Sequence, residues 1–596
     1  MRQLTIIQLS MKRIVHNPRA YLFGFLFLQS IRWLIAAPII TFLFYQSLRL
    51  SGLSSVTNAN IQYLLTHPGA LALLTVLIFL LTLLIFFEFG YYFLLAYSDR
   101  HGKKTTPVAI VQQLMKKIPK FFTMHTIVFT IYFFLLLPLA SLGLSSSWTD
   151  SLHMPRFITD ELMTTTSGKI LFFGILALVL LINTRFVFSV YYFVIDPHET
   201  LRGALRKSWH HSRGKTIRII TSLAGVLLTM IILVISFGLF IFTPLYMGEA
   251  IFEKHLPVLA AMSLTLFQGV LFIAGALLQP LLTEAVTVME GEEGARPETI
   301  QFTKRKWVKH PKALTILLLS GFFGMSAIHY VTLTETVYQP VTKIVAHRGY
   351  AAVALENTIA SLDAAAKAGA DYVEMDIQET KDGEFVVYHD ETLRRLGGTN
   401  EKVSDLTLEE LTSRTISNGT YTERIPSFDE YIDRAKALDI ALLVEWKTYT
   451  GSTKDQAEKL AQLLEEKEVL GEYIVQSLDL QFLRHLEAVD PRIQTSDIFA
   501  MNIGGVPDTP AMYLSIEDFS IRPSFMKQLS EEEKLLFVWT VNEERLMHEY
   551  MQLGVHGLIT NYVSNAVRVR DYYEEEIGLF DRVVWMARQT KIATGL

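Results

Sequence analysis

The sequence predicts a multi-span α-helical membrane domain over residues 1–335, followed by an α/β barrel of eight parallel strands over residues 340–575. Three observations carry this expectation. Half of the 596 residues are hydrophobic and the mean hydropathy is +0.30, more apolar than a soluble chain of this length. The apolar excess is confined to residues 20–335, where long uncharged stretches recur. From residue 341 onward charges are spread throughout, and short β-rich runs alternate with segments of helical periodicity. The composition changes within TLTETVYQPV, residues 333–342.

Seven stretches reach the roughly 20 apolar residues that a helix needs to cross hydrocarbon. They are 21–48, 70–97, 121–145, 170–196, 219–247, 257–288 and 313–332. The first is expected to remain as a span, because Arg32 interrupts it and no small-residue cleavage site closes it. Orientation follows from basic residues in the loops. The N-terminal segment and the loops 98–120, 197–218 and 289–312 hold 22 Lys and Arg, against four in the intervening loops. The basic set is expected in the cytoplasm, so seven crossings put the C-terminal half outside. Arg32, Glu88, Arg185 and Glu284 fall within spans, where a charge needs a partner or a polar path. Pairing inside the bundle, a lipid-headgroup pocket and a transport path all stay open. TPVAIVQQLMKK and ETLRGALRKSWHH read as amphipathic helices lying on an anionic inner leaflet.

In the second half the β-rich runs are TKIVAH, YVEMDI, EFVVYH, IALLVEW, YIVQS, RIQTSD, MYLSI, LFVWTV and GLIT. Helical segments such as ENTIASLDAAAKAGA and TKDQAEKLAQLLEEK separate most of them. This alternation over about 240 residues suggests a TIM-type (β/α)8 barrel, with an open doubly wound sheet as the alternative. No glycine-rich phosphate loop follows a strand, which argues against a nucleotide-binding sheet, and nucleic acid is not an expected partner. The chain has no cysteine, which excludes disulfides, thiolate zinc sites and thiol nucleophiles.

Catalytic groups of such a barrel gather at the carboxyl ends of strands. His347 and Arg348 follow the first run, Glu374 and Asp376 lie in the second, His389 and Asp390 follow the third, and Glu445 and Lys447 follow IALLV. Strand alternation turns Glu374 and Asp376 to one side and Met375 to the other. Carboxylates that close repel unless a cation sits between them. With Glu445 they form an oxygen site suited to one divalent cation, Mg2+ or Ca2+. Two imidazoles with ordinary pKa near 6.5 suit an acid and base pair. Arg348, through a two-pronged contact, and Lys447, as a point charge, suit an anion. Together these groups describe a phosphodiester site. Gly349 is expected to permit close backbone approach to the phosphate.

AHRG, ENT, the helix ending in AGAD, VEMDI, TKDG, VVYHD, VEWK, VWTVN and GVHGLIT resemble, in order, the motifs of the glycerophosphodiester phosphodiesterase family. The resemblance covers nearly all of residues 343–572, and the apolar half is similar to the membrane domain that some bacterial members carry. It implies a barrel that hydrolyses glycerophosphodiesters to glycerol 3-phosphate and an alcohol with a divalent cation. His347 and His389 become the acid and base, Glu374, Asp376 and Glu445 the metal ligands, and Arg348 and Lys447 phosphate contacts. Glu356 and Asn357 match family site residues, and Trp539 would wall the pocket. The chain departs at Leu355, where the family often has Pro. In the closing motif His556 and Asn561 replace acidic residues and Val563 replaces Pro.

The expected protein is therefore a cell-membrane, multi-pass hydrolase with its barrel outside the cytoplasm. A lipid-derived glycerophosphodiester, a lysophospholipid or a glycerophosphate polymer is the expected substrate, with membrane lipid as surroundings. A cyclising lyase and a ligand-binding sensor or transporter are the alternatives. The tail, residues 576–596, contains GLFDRVVWMARQ, an amphipathic pattern that suits contact with either membrane or barrel.

Overall fold

The computed structural model describes residues 3–101, 105–134, 158, 159, 162, 163, 165–248, 255–291, 311–335, 341–574 and 579–589. Among the described residues, six helices are long and apolar enough to cross a membrane: Pro18–Leu50, Pro68–Arg100, Thr166–Ile195, Thr216–Met247, Leu256–Glu290 and Thr315–Thr334. They correspond to six of the seven expected stretches. The other, 121–145, is helical over His125–Phe134, and its positions 135–145 lie outside the described residues, as does most of the loop 289–312.

The two expected surface helices form as Pro107–Met115 and Leu201–Ser212, each capped by a threonine hydroxyl that accepts a backbone N–H of the first turn. Their apolar faces turn inward: Ile110, Leu114, Leu201, Ala204 and Leu205 join the core formed by the spans. Gly90 makes this possible, because a Cβ there would lie 2.8 Å from Leu114 and 3.2 Å from Val194. Among the charges within spans, Glu284 accepts hydrogen bonds from Arg13 at 3.2 Å and from the Tyr21 hydroxyl. The Arg185 guanidinium lies 5.6 Å over Trp209 and that of Arg32 lies 5.3 Å over Trp33. These contacts are the partners that a low-dielectric interior demands.

The strands are β1 (Ser55–Thr57), β2 (Lys343–Ala346), β3 (Tyr372–Glu379), β4 (Phe385–Val387), β5 (Thr415–Ser417), β6 (Thr422–Arg424), β7 (Ala441–Trp446), β8 (Ile474–Ser477), β9 (Gln494–Phe499), β10 (Asn502–Gly504), β11 (Tyr513–Glu517), β12 (Leu535–Trp539) and β13 (Gly557–Thr560). Eight of them close a parallel barrel in the order β2, β3, β7, β8, β9, β11, β12, β13, with β13 pairing back onto β2. EFVVYH, the third of the nine runs, is β4, an antiparallel strand that folds back on the end of β3 with Ile377 opposite Val387. Val345, Leu443, Ile474, Tyr513, Phe537 and Ile559 fill the barrel interior as one apolar layer, while Leu442, Val444, Val475, Leu514 and Val538 face the surrounding helices. This two-sided burial explains why the strands read as continuous apolar runs.

The barrel is joined to the membrane half at two places besides the linker. β1, in the loop after the first span, pairs antiparallel with β10. The tail helix Leu579–Gln589 packs Leu579, Val583 and Met586 against Leu245, Leu256, Ala260, Ala261 and Leu333, and Arg582 donates to the Leu333 carbonyl at 2.9 Å. The tail helix thus lies on the ends of spans and also beside the barrel helix Glu544–Leu553.

Candidate active site

After β2 the chain turns sharply: Arg348 and Gly349 have φ of 53° and 77°. The His347 N–H donates to the Thr560 carbonyl at 3.0 Å and the Gly349 N–H to the Glu374 carbonyl at 3.1 Å, so neighbouring strands fix the turn. Gly349 is required by the packing of the following helix. A Cβ there would lie 2.3 Å from the Ser361 hydroxyl of the helix Ile359–Lys367. Gly349→Ala is expected to destabilise the barrel by more than about 1 kcal/mol, read as a lower thermal midpoint of the detergent-solubilised chain.

Glu374, Asp376 and Glu445 come together, with one carboxylate oxygen from each within 4.8 Å of the others. Glu374 and Asp376 are almost wholly buried. Burial, then the neighbouring charges of Asp376 and Glu445, push the Glu374 carboxyl well above its ordinary range. Asp376 resists the same burial because Lys447, then His389 and Arg348, hold it below the usual carboxylate range. Lys447 Nζ lies 2.8 Å from Asp376 Oδ1 and also bonds Glu445. Three oxygen donors from two adjacent strands, one of them raised by like charge, fit a hard divalent cation.

The ENT segment acts residue by residue. The Glu356 carboxylate accepts from Arg348 Nη1 at 2.9 Å and from Arg395 Nη1 and Nη2 at 2.8 and 2.7 Å. Asn357, at φ 56°, donates through Nδ2 to Asp376 Oδ2 at 2.7 Å and accepts the Asp376 N–H at 3.2 Å. Thr358 caps the helix Ile359–Lys367 in a reciprocal box with Ser361. Asn357 thus holds a carboxylate in place, and Glu356 ties two guanidinium groups together. Arg348 is committed too, its N–H donating to Glu374 Oε2 at 2.8 Å and its Nε lying 3.6 Å from Asp376.

Burial opposes the charge on Glu356, yet the hydrogen bonds from Arg395 and the charge of Arg348 bring its pKa from 4.5 down to about 2. A carboxyl with a lower pKa in the folded than in the unfolded state stabilises above pH 4.5, and this is lost as pH falls toward 2. The thermal midpoint of Glu356→Gln is expected to lie below that of the parent chain at pH 6 and to converge on it as pH falls to 3.

The two histidines have different partners. His347 shares a 2.8 Å hydrogen bond between Nδ1 and the Asn561 amide oxygen, so Nδ1 carries the proton. Its Nε2 lies 4.0 Å from Glu374. Burial, then the charge of Arg348, lowers its pKa to about 3. His389 Nδ1 is 2.7 Å from Asp390 Oδ1. Arg395 donates to the same carboxylate through Nε at 2.7 Å and Nη2 at 3.0 Å, and these contacts hold Asp390 below its ordinary range despite burial. β4 delivers this pair, with the Tyr388 N–H donating to the Asp376 carbonyl at 3.0 Å. Trp539, at the end of β12, packs against the interior apolar layer.

An ordered series of residues thus converges on one barrel mouth, and the family patterns match both halves. The pattern described as the membrane domain of glycerophosphoryl diester phosphodiesterase matches residues 7–331. That of the glycerophosphoryl diester phosphodiesterase family matches residues 347–565. The chain belongs to the glycerophosphodiester phosphodiesterase family. The barrel is 30% identical over 233 residues to the glycerophosphodiester phosphodiesterase of Caldanaerobacter subterraneus subsp. tengcongensis, covering 37% of this chain and 94% of that protein. It is 30% identical over 259 residues to a glycerophosphodiester phosphodiesterase of Bacillus subtilis, covering 38% of this chain and 86% of that protein. A phosphodiesterase structure from Oleispira antarctica, in complex with the product sn-glycerol-3-phosphate, aligns with TM-score 0.35 and 20% identity over 38% of this chain and 96% of that one.

As a member of the phosphodiesterase family the chain is a phosphoric diester hydrolase, and its departures from the family pattern now have locations. Asn561 is the partner of His347. His556 is remote from it, its ring tilted against Tyr513 at 5.5 Å and edge-on to Phe537 at 5.2 Å, and its carbonyl accepts the Lys343 N–H at 2.8 Å. Leu355 is buried with Val386, Tyr388 and Leu393, and Val563 opens the helix Val563–Glu574. Sequence reasoning missed Arg395, which lies in LRRLGG without any periodic context. It also missed Gln476, whose side chain approaches Glu445 at 3.4 Å and accepts from Ser515 at 2.7 Å. A Gln inside the apolar run YIVQS was the available signal for it.

Proposed function

We propose that this phosphodiesterase hydrolyses glycerophosphodiesters to glycerol 3-phosphate and an alcohol at the extracytoplasmic face of the membrane, with one bound Mg2+ or Ca2+. The observation that carries the reading is the meeting of three carboxylates beside two histidines whose partners differ in charge. Glu374, Asp376 and Glu445 would hold the cation, which supplies Lewis-acid polarisation of a phosphoryl oxygen. Arg348 and Lys447 balance the developing negative charge. Neutral His347, backed by an amide, suits taking a proton at Nε2 from the attacking oxygen. His389, oriented through Nδ1 by Asp390, suits giving a proton to the departing alkoxide. Glu356, Asn357 and Arg395 keep these groups at their stations, and Trp539 walls the pocket.

The side of the membrane is supported by the positions of the span ends. Residues 50 and 68 flank the loop that carries β1, which touches the barrel. Leu245, Leu256 and Leu333, near three further span ends, touch the tail helix. These ends therefore share a side with the barrel. Residues 100, 195 and 290 end on the other side, where Arg100 donates to the Gly291 carbonyl at 2.7 Å and Lys117 bonds the Asp196 carbonyl. The barrel then lies opposite the N-terminus, whose side the loop charges make cytoplasmic. This topology needs an odd number of crossings.

The test uses purified full chain and glycerophosphocholine. Glycerol 3-phosphate release that requires added Mg2+ or Ca2+ supports the proposal, and full turnover in excess chelator overturns it. For sidedness, Glu549→Cys in this cysteine-free chain should react with a membrane-impermeant maleimide in intact spheroplasts. Reaction only after permeabilisation would place the barrel inside.

A further inference from the structure

β10 begins three residues after the end of β9, so it belongs to a loop at the carboxyl, catalytic end of the barrel. The membrane half adds a strand to that loop: Ser55, Val56 and Thr57 lie opposite Gly504, Ile503 and Asn502. The contact extends beyond the ladder. The Gly505 N–H donates to the Ser54 carbonyl at 3.2 Å, the Ser54 hydroxyl to the Val506 carbonyl at 3.0 Å, and the Ala500 N–H to Asn58 Oδ1 at 3.1 Å. Asn60 shapes the loop in advance, accepting the Thr57 N–H at 2.8 Å and donating to the Ser55 carbonyl at 3.0 Å.

Beneath the ladder Met501 packs on Leu48, Val56, Leu64 and Ala70, where Leu48 lies in the last turn of the first span and Ala70 in the first turn of the second. One edge of the catalytic mouth therefore sits directly on span ends. Val353, Tyr449, Leu478 and Tyr562 lie in the segments that follow β2, β7, β8 and β13, and their side chains are exposed at the same end of the barrel. An apolar rim beside a membrane anchor suits an amphiphilic ligand.

We propose that β1 is a docking strand by which the membrane domain holds the catalytic end of the barrel beside the first two spans, so that acylated glycerophosphodiesters anchored in the same bilayer reach the site through this contact. The substrate half of the proposal rests on the hydrolytic reading above, whereas the docking half stands on the strand pairing alone. In the step concerned, water attacks phosphorus and the P–O bond to the polar alcohol breaks. The alcohol leaves with a proton, and the acylated glycerol phosphate stays in the bilayer.

The test uses the full chain in phospholipid nanodiscs. Paired residues of antiparallel strands have Cα atoms about 5.5 Å apart, within reach of a disulfide. Val56→Cys/Ile503→Cys should therefore crosslink on mild oxidation, while Val56→Cys/Glu549→Cys should not. Val56→Pro removes a ladder hydrogen bond. It should lower choline release from lysophosphatidylcholine in the nanodisc at least fivefold, yet leave release from dissolved glycerophosphocholine within twofold. The two substrates share their leaving group and differ only in the acyl anchor. Failure of the crosslink, equal changes on both substrates, or a parent chain that cleaves only the dissolved diester would each overturn the proposal. A parent chain inactive on both substrates would instead overturn the hydrolytic reading and with it the bilayer route, and the crosslink would then decide the docking.

Discussion

His389→Ala is expected to lower kcat/KM for glycerophosphocholine by about 10^2 to 10^4-fold, the usual worth of a positioned general acid or base. The reason lies in the chain of contacts behind the imidazole. Asp390 sits 2.7 Å from Nδ1, and Arg395 pins that carboxylate while gripping Glu356 with two further hydrogen bonds. His389 is thereby held at one orientation, so on the proposed mechanism its removal takes away a prepared proton donor. Asp390→Asn should cost less, because the imidazole itself remains and loses only the carboxylate beside Nδ1. His347→Ala is expected to fall in the same range as His389→Ala, since its Nε2 faces the carboxylate cluster from the end of the adjacent strand β2. The measurement is steady-state glycerol 3-phosphate release. A loss below tenfold at either histidine would remove that residue from the proton-transfer pair.

The second large effect is expected at the carboxylate cluster. Asp376→Asn should reduce turnover by about 10^3-fold or more, the rate equivalent of several kcal/mol of charge stabilisation. It should also abolish the rise in thermal midpoint on adding Mg2+ or Ca2+. A ligand present at about 100 times its Kd stabilises the folded state by about 2.7 kcal/mol, an effect a thermal shift resolves. Glu374 separates this from simple damage. Its carboxyl is raised by burial and by Asp376 and Glu445, so in the cation-free chain it contributes stability below pH 4.5 that is lost as pH rises. Glu374→Gln removes that repulsion. It is therefore expected to be more stable than the parent at pH 8 without cation and less stable with it. Equal stability under both conditions would show that Glu374 is not a ligand.

The reaction class was legible because its residues fall at strand ends in short, ordered motifs. Period-two alternation alone places Glu374 and Asp376 on one face, and the structure sets their oxygens and one of Glu445 within 4.8 Å. The partner of His347 and the clamp on Glu356 were not legible. Asn561 lies 214 positions from His347 and Arg395 lies 39 from Glu356, and no local pattern encodes a contact that only barrel closure creates. Gly349 is similar in kind. Its need for a glycine comes from Ser361 on a following helix, a neighbour chosen by packing.

By itself, then, the sequence determined the apolar half, the alternation of strands and helices, and the identity of the groups at the mouth. Periodicity, hydropathy and residue chemistry are local properties that survive in a linear string. Tertiary structure alone decided that β4 stands outside the barrel, that the amphipathic helices bury their faces on spans, and that β1 reaches across to β10. Each of these depends on which surfaces meet once the chain is compact, and burial of apolar area and pairing of backbone groups select those partners over distances that no short motif spans.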